Sequence, residues 1–167
     1  MKKKTFLVLG HMRHGKDTFC EILRDKYDIV FYPSSIAIAG YIRENHLQDQ
    51  RYLTDMECFE DRVNHRETWF NAIAEYNKDD LCAHIKNNIL KDDGQIYCGI
   101  RRKAEFDEAM RQKLFDYVVW VDALDRLPPE DRKSFDVDFD ESFHRIDNNG
   151  TLEEFESNID AFMESIL

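Results

Sequence analysis

No apolar run in this chain approaches the roughly twenty residues needed to cross a bilayer as a helix. The basic start, Met1-Lys2-Lys3-Lys4, is followed by an apolar run too short for a signal peptide, so the expectation is a cytoplasmic protein with no membrane partner. Cys20, Cys58, Cys82 and Cys98 are widely spaced and include no Cys-x-x-Cys pair, which argues for reduced thiols over disulfides or a metal site. The six histidines contain no His-x-x-x-His pair, so a helical zinc site is not indicated. There is no basic stripe of the kind a nucleic-acid polymer requires, and no internal repeat or low-complexity segment.

What is there suits a folded domain. The 167 residues are 43% hydrophobic and 13% aromatic, which fits one domain, residues 1–167, with a proper core. The net charge of −11 is unevenly spread. From Asp122 onward there are fourteen acids against four bases, whereas the first 121 residues hold twenty acids and nineteen bases. The acidity is therefore confined to the C-terminal quarter, and a small anionic ligand held by a few arginines stays compatible with the rest.

Apolar runs alternate with helical periodicity. Strands are expected at Thr5–Leu9, Ile29–Tyr32, Ile96–Cys98, Tyr117–Val121 and near His144–Ile146. Helices are expected over Lys16–Tyr27, Ile36–Asn45 with a serine cap, Tyr52–Phe59, Arg62–Tyr76, from Asp79/Asp80 to the turn at Gly94, and around Phe106–Leu114. Thr151-Leu-Glu-Glu154 is a capping box that opens a final helix with Phe155, Ile159 and Phe162 on its apolar face. Asp122–Glu141, with Pro128-Pro129, shows only weak structure of its own. This alternation implies an α/β fold with a five-stranded parallel sheet and a ligand at the strands' C-terminal ends.

The most informative stretch is Gly10-His11-Met12-Arg13-His14-Gly15-Lys16-Asp17-Thr18, between the first strand and the first helix. Its glycines let successive N–H groups converge on an oxyanion, and the helix N-terminus adds partial positive charge. Lys16 would reach a terminal phosphate and a nearby hydroxyl would hold Mg²⁺. Further on, Arg62 and Arg66 lie four apart on one helix face, where paired guanidiniums suit a phosphate.

Gly-Lys-Asp-Thr resembles the loop of P-loop nucleoside monophosphate kinases, and in particular that of bacteriophage deoxynucleoside monophosphate kinases. Ala39-Gly-Tyr-Ile-Arg43 is similar to the acceptor-binding helix of deoxynucleotide and phosphomevalonate kinases. Gly99-Ile-Arg101-Arg102 looks like the Gly-x-x-Arg of adenylate kinases, with Cys98 where that family usually has an acid. Arg126 and Arg132 bracket a stretch similar to the short lid of dephospho-coenzyme A kinases. Asp147-Asn-Asn-Gly150-Thr151 resembles the turn before the last helix of that superfamily.

The resemblance implies a three-layer α/β/α P-loop fold with a helical acceptor-binding region at about 34–80 and a lid at about 123–141. It also implies transfer of the γ-phosphoryl group of ATP to a (deoxy)nucleoside monophosphate. Gly10, His14, Gly15, Lys16, Asp17, Thr18, Asn148 and Gly150 would bind ATP, with Thr18 and Asp17 on Mg²⁺. Lys16, Arg13, Arg126 and Arg132 would be the catalytic cations. Ser35, Arg43, Arg62, Arg66, Arg101 and Arg102 would hold the acceptor. Alternatives that stay open are another small acceptor, such as dephospho-coenzyme A or a modified base in phage DNA, and a nucleotide-binding protein without catalysis. Homodimerisation is likewise left open.

Overall fold

In the computed structural model, which describes residues 2–167, the run Phe6-Leu7-Val8-Leu9 is buried at every position. It forms β1 (Phe6–Leu9), followed by α1 (Lys16–Tyr27), α2 (Ser34–Asn45), α3 (Asp55–Glu60) and α4 (Arg66–Tyr76). Then come β2 (Ile96–Tyr97), α5 (Lys103–Arg111), β3 (Tyr117–Asp122), β4 (His144–Asp147) and α6 (Leu152–Ile166). The chain divides into two compact units, one running up to Phe31 and resuming at Gln95–Leu167, the other Tyr32–Gly94. No helix among the described residues is long and apolar enough to cross a membrane.

In the first unit the sheet is fully parallel, in the order β2-β1-β3-β4. It has four strands among the described residues, not the expected five. The run Ile29–Tyr32 makes a single isolated bridge, Phe31 to Ile96 of β2, and forms no strand. The reason is local: β2 is two residues long, and the Gln95 side chain accepts from the Val30 N–H at 3.1 Å. Pro33, which has no N–H to donate, then stops any extension.

Alternation along β3 decides what each face carries. Val119 and Val121 join Phe6 and Val8 under Phe19 and Leu23 of α1 and Phe155, Ile159 and Phe162 of α6. Trp120 faces the other way, with Phe135 at 5.8 Å and Phe143 at 6.4 Å between ring centroids, and Phe143 meets Phe106 of α5. The second face is thus covered by α5 and an irregular segment. Phe135 and Val137 are buried, so the far half of residues 123–143 is anchored to the sheet.

In the second unit α2 buries Ile38, Ala39 and Ile42 against Cys58, Trp69 and Ala72. α2 begins at Ser34, directly after Pro33, so Ser34 and Ser35 lie inside its first turn and neither caps it. α3 begins at Asp55 under a capping box of Thr54 and Glu57, and α4 begins at Arg66 after a 3₁₀ turn over Asp61–Asn64. Where a helix from Asp79/Asp80 is expected, residues 85–89 form a π-helical turn. Asp80 and Asn77 side chains accept the N–H groups of Cys82 and His84 there, drawing the backbone away from a regular α-helix.

Candidate functional site

The four parallel strands end along one edge of the first unit, and the loop between β1 and α1 lies on it. Gly10 has φ +148°, and a Cβ there would meet the Val121 carbonyl at 2.6 Å. Gly15 has φ +107°, and a Cβ would meet Asn148 Nδ2 at 2.4 Å. Between them Arg13 takes the left-handed conformation, φ 66°, on an exposed side chain. No side chain caps α1, so the N–H groups of its first turn are free to meet an anion.

Lys16 folds back over this loop, donating to the Gly10 carbonyl at 2.7 Å and the His11 carbonyl at 3.0 Å. Burial lowers its pKa from the usual lysine value, partly offset by Cys98, Glu130 and Asp17. An incoming anion would give that ammonium a better partner than two neutral carbonyls.

The loop is pinned from two sides. His14 is fully buried; its Nδ1 accepts from the Ala123 N–H at 3.1 Å, and its Nε2–H donates to the Pro128 carbonyl at 3.3 Å. Those bonds fix the neutral tautomer, so the side chain of His14 is a strut rather than a ligand. Asn148 Nδ2 donates to the His14 carbonyl at 2.8 Å, while its backbone N–H donates to the Asp122 carbonyl at 2.7 Å. Gly150 lies in the same turn, against the Glu154 carboxylate of the α6 capping box.

The expected lid arginines are both engaged. Arg126 Nε donates to the Asn148 carbonyl at 2.8 Å. Arg132 pairs with Asp138 through two bonds, the shorter 2.5 Å, in full solvent. Such an exposed pair is readily exchanged for a phosphate. Arg101 sits beyond β2 and pairs with Glu130 at 2.5 Å; Arg102 precedes α5, its guanidinium 3.9 Å from Asp136.

In the second unit Ser35, Arg62 and Arg66 line one cavity of about 290 Å³ together with Val63, Trp69 and Ile73. Two arginines and no Asp or Glu line it, a setting for an anion. Arg62 is held over the Phe59 ring and donates to the Phe59 carbonyl at 3.0 Å. Arg43 is not brought to this cavity. It is turned to Asp55, 2.8 Å from Nε in poor hydrogen-bond alignment, and Gly40 leaves room for that carboxylate. A second concavity of the unit, about 560 Å³, is lined by Glu57, Glu60 and Asp61 against one cation, Arg51, and suits a phosphate less well.

Three features escape the sequence reading. Asp122, at the end of β3, accepts from Arg145 at 2.6 Å and from the Leu124 N–H at 2.8 Å. Burial alone would raise its pKa, but these bonds hold it below the usual carboxylate value. A cavity of about 360 Å³ opens beside it under Trp120, Phe135 and Glu130. Third, Glu130 reaches the loop itself, accepting from the Met12 N–H at 2.8 Å.

A divalent cation would find a modest donor set here. Thr18 stands in the first turn of α1, and Asp17 Oδ1 lies 4.0 Å from Cys98 Sγ, which occupies the strand-end position. One hydroxyl and one carboxylate suit Mg²⁺ that is held mainly through a ligand's phosphate oxygens. No cluster of three or more metal-binding side chains occurs among the described residues. The chain matches no model of a known protein family and no curated protein sequence.

Proposed function

We propose that this chain is a P-loop kinase that transfers the γ-phosphoryl group of ATP to the α-phosphate of a (deoxy)nucleoside monophosphate. The observation that carries this reading is the loop Gly10–Gly15, set between a buried parallel strand and a helix whose N-terminus no side chain caps. Lys16 hangs over that loop on two carbonyl bonds that a phosphate would replace. Phosphoryl transfer asks for positioning and for charge around the moving group, with little covalent help. The exposed arginines 13, 126 and 132 would supply such charge, and Thr18 and Asp17 would hold Mg²⁺, whose charge would further offset that of the phosphates.

Ser35, Arg62 and Arg66 are the acceptor-side residues best supported by geometry, because they share one carboxylate-free cavity. No general base is required, since a monophosphate acceptor is already anionic at neutral pH. The test is ADP release from ATP and Mg²⁺, screened against ribo- and deoxynucleoside monophosphates, with Lys16→Ala as control. Acceptor-dependent turnover lost in the control supports the kinase. Turnover no better than the blank with every monophosphate, while ATP still binds, rejects it in favour of another acceptor or of binding alone.

A further inference from the structure

Glu130 belongs to no regular element, yet its carboxylate is only 6% exposed. One oxygen accepts from the Met12 N–H at 2.8 Å, and the other accepts from Arg101 Nη2 at 2.5 Å. The backbone N–H of Glu130 donates to His11 Nδ1 at 3.1 Å, so the residue is held at two points by the loop and at a third by Arg101. Burial lowers the pKa of His11, and the bond from the Glu130 N–H uses its Nδ1 as an acceptor. A loop N–H and a guanidinium each facing one oxygen of an anion is the donor pair that would hold two oxygens of a phosphoryl group.

The placement of Glu130 in the chain matters as much as its contacts. Ala123 and Phe135 are buried, and nearly every residue between them is exposed. Glu130 therefore rides on a solvent-exposed arc that is pinned beside it by the His14–Pro128 bond, and only its side chain need turn away for the subsite to open. Two anions cannot share Met12 N–H and Arg101, and a phosphate carries more charge than a carboxylate.

We propose that the Met12 N–H and the Arg101 guanidinium form a phosphoryl oxyanion subsite, and that Glu130 is its internal occupant, displaced when a phosphorylated ligand binds. This rests on reading the Gly10–Gly15 loop as a phosphate cradle. It adds a residue that competes with the ligand, and it assigns Arg101 to whichever anion is present. If about nine-tenths of the molecules hold Glu130 in place, the apparent affinity for phosphate falls about tenfold.

The test is calorimetric titration of wild type, Glu130→Gln and Glu130→Ala with inorganic tripolyphosphate, which has no base or sugar to contribute. Both variants should bind roughly tenfold more tightly, with Glu130→Ala at least as tight as Glu130→Gln. If wild type binds and neither variant binds more tightly, Glu130 is a structural latch and the proposal falls while the phosphate cradle stands. A lower melting temperature with unchanged affinity has the same meaning. If no form of the chain binds tripolyphosphate or ATP, the cradle reading fails and takes this proposal with it.

Discussion

Gly15 shows how narrowly the loop is built. Its φ of +107° strains any L side chain, and the space a Cβ needs is taken by Asn148 Nδ2. Gly15→Ala should cost at least the roughly 1–3 kcal/mol of such backbone strain, read as a drop in melting temperature. Adding Asn148→Ala would remove the clash but not the strain, so the double variant should regain only part of the loss. Full recovery would show that the conformation itself is unimportant. The pattern of Gly10, Gly15 and Lys16 is readable in the sequence because the three lie close together, whereas Val121 and Asn148, which leave no room for a Cβ at the two glycines, lie more than a hundred residues away. Glu130 is not readable there, because it meets the loop across more than a hundred residues of chain. The pairing of Arg43 with Asp55 is hidden for a related reason: Asp55 lies on another helix, which spacing along α2 does not announce.

At the scale of elements, local patterns succeed where a helix announces both its cap and its face. α1 spans Lys16–Tyr27 as its periodicity predicts, and both hydrogen bonds of the Thr151/Glu154 box form at the start of α6. Thr151→Ala should therefore cost about 1 kcal/mol, measurable by denaturant unfolding. No change would mean that packing of Phe155, Ile159 and Phe162 alone holds the helix. The fifth strand fails because pairing depends on its partner: two residues of β2 offer too little ladder for Ile29–Tyr32 to follow. The segment after β3 is irregular, as its composition predicts, but its anchoring is not legible in the sequence. Phe135, Phe139 and Phe143 recur every fourth residue, yet they pack on or beside Trp120 from an irregular chain. Phe135→Ala should cost about 3–5 kcal/mol, the usual range for a fully buried ring. Stability within about 1 kcal/mol of wild type would show that the segment is not anchored as described.

At the scale of the molecule, acid should act through the second unit. His84 is 3% exposed there, its Nε2–H donating to the Ser34 carbonyl at 3.0 Å. Burial pushes its pKa down from 6.5 to about 4, so the folded state keeps it neutral while the unfolded chain takes up a proton near 6.5. The unfolded state then binds more protons in that window, and stability falls as pH drops from about 6.5 toward 4. The loss amounts to roughly 3 kcal/mol at the acid end. Thermal melts followed by circular dichroism at pH 7 and pH 4.5 should show the decline, and His84→Gln should flatten it. An equally steep decline in the variant would assign the acid sensitivity elsewhere.

The chain has two tryptophans, and the division into units gives one to each: Trp69 is 5% exposed in the second, Trp120 4% exposed in the first. Trp120 meets the His11 ring edge-on at 5.7 Å, and His11 is the residue to which Glu130 is bonded. The protein therefore contains an intrinsic fluorophore for each half. A Trp69→Phe chain would report on the loop and on Glu130 beside it through Trp120 alone. A Trp120→Phe chain would report on the arginine-lined cavity through Trp69, with no label attached to either.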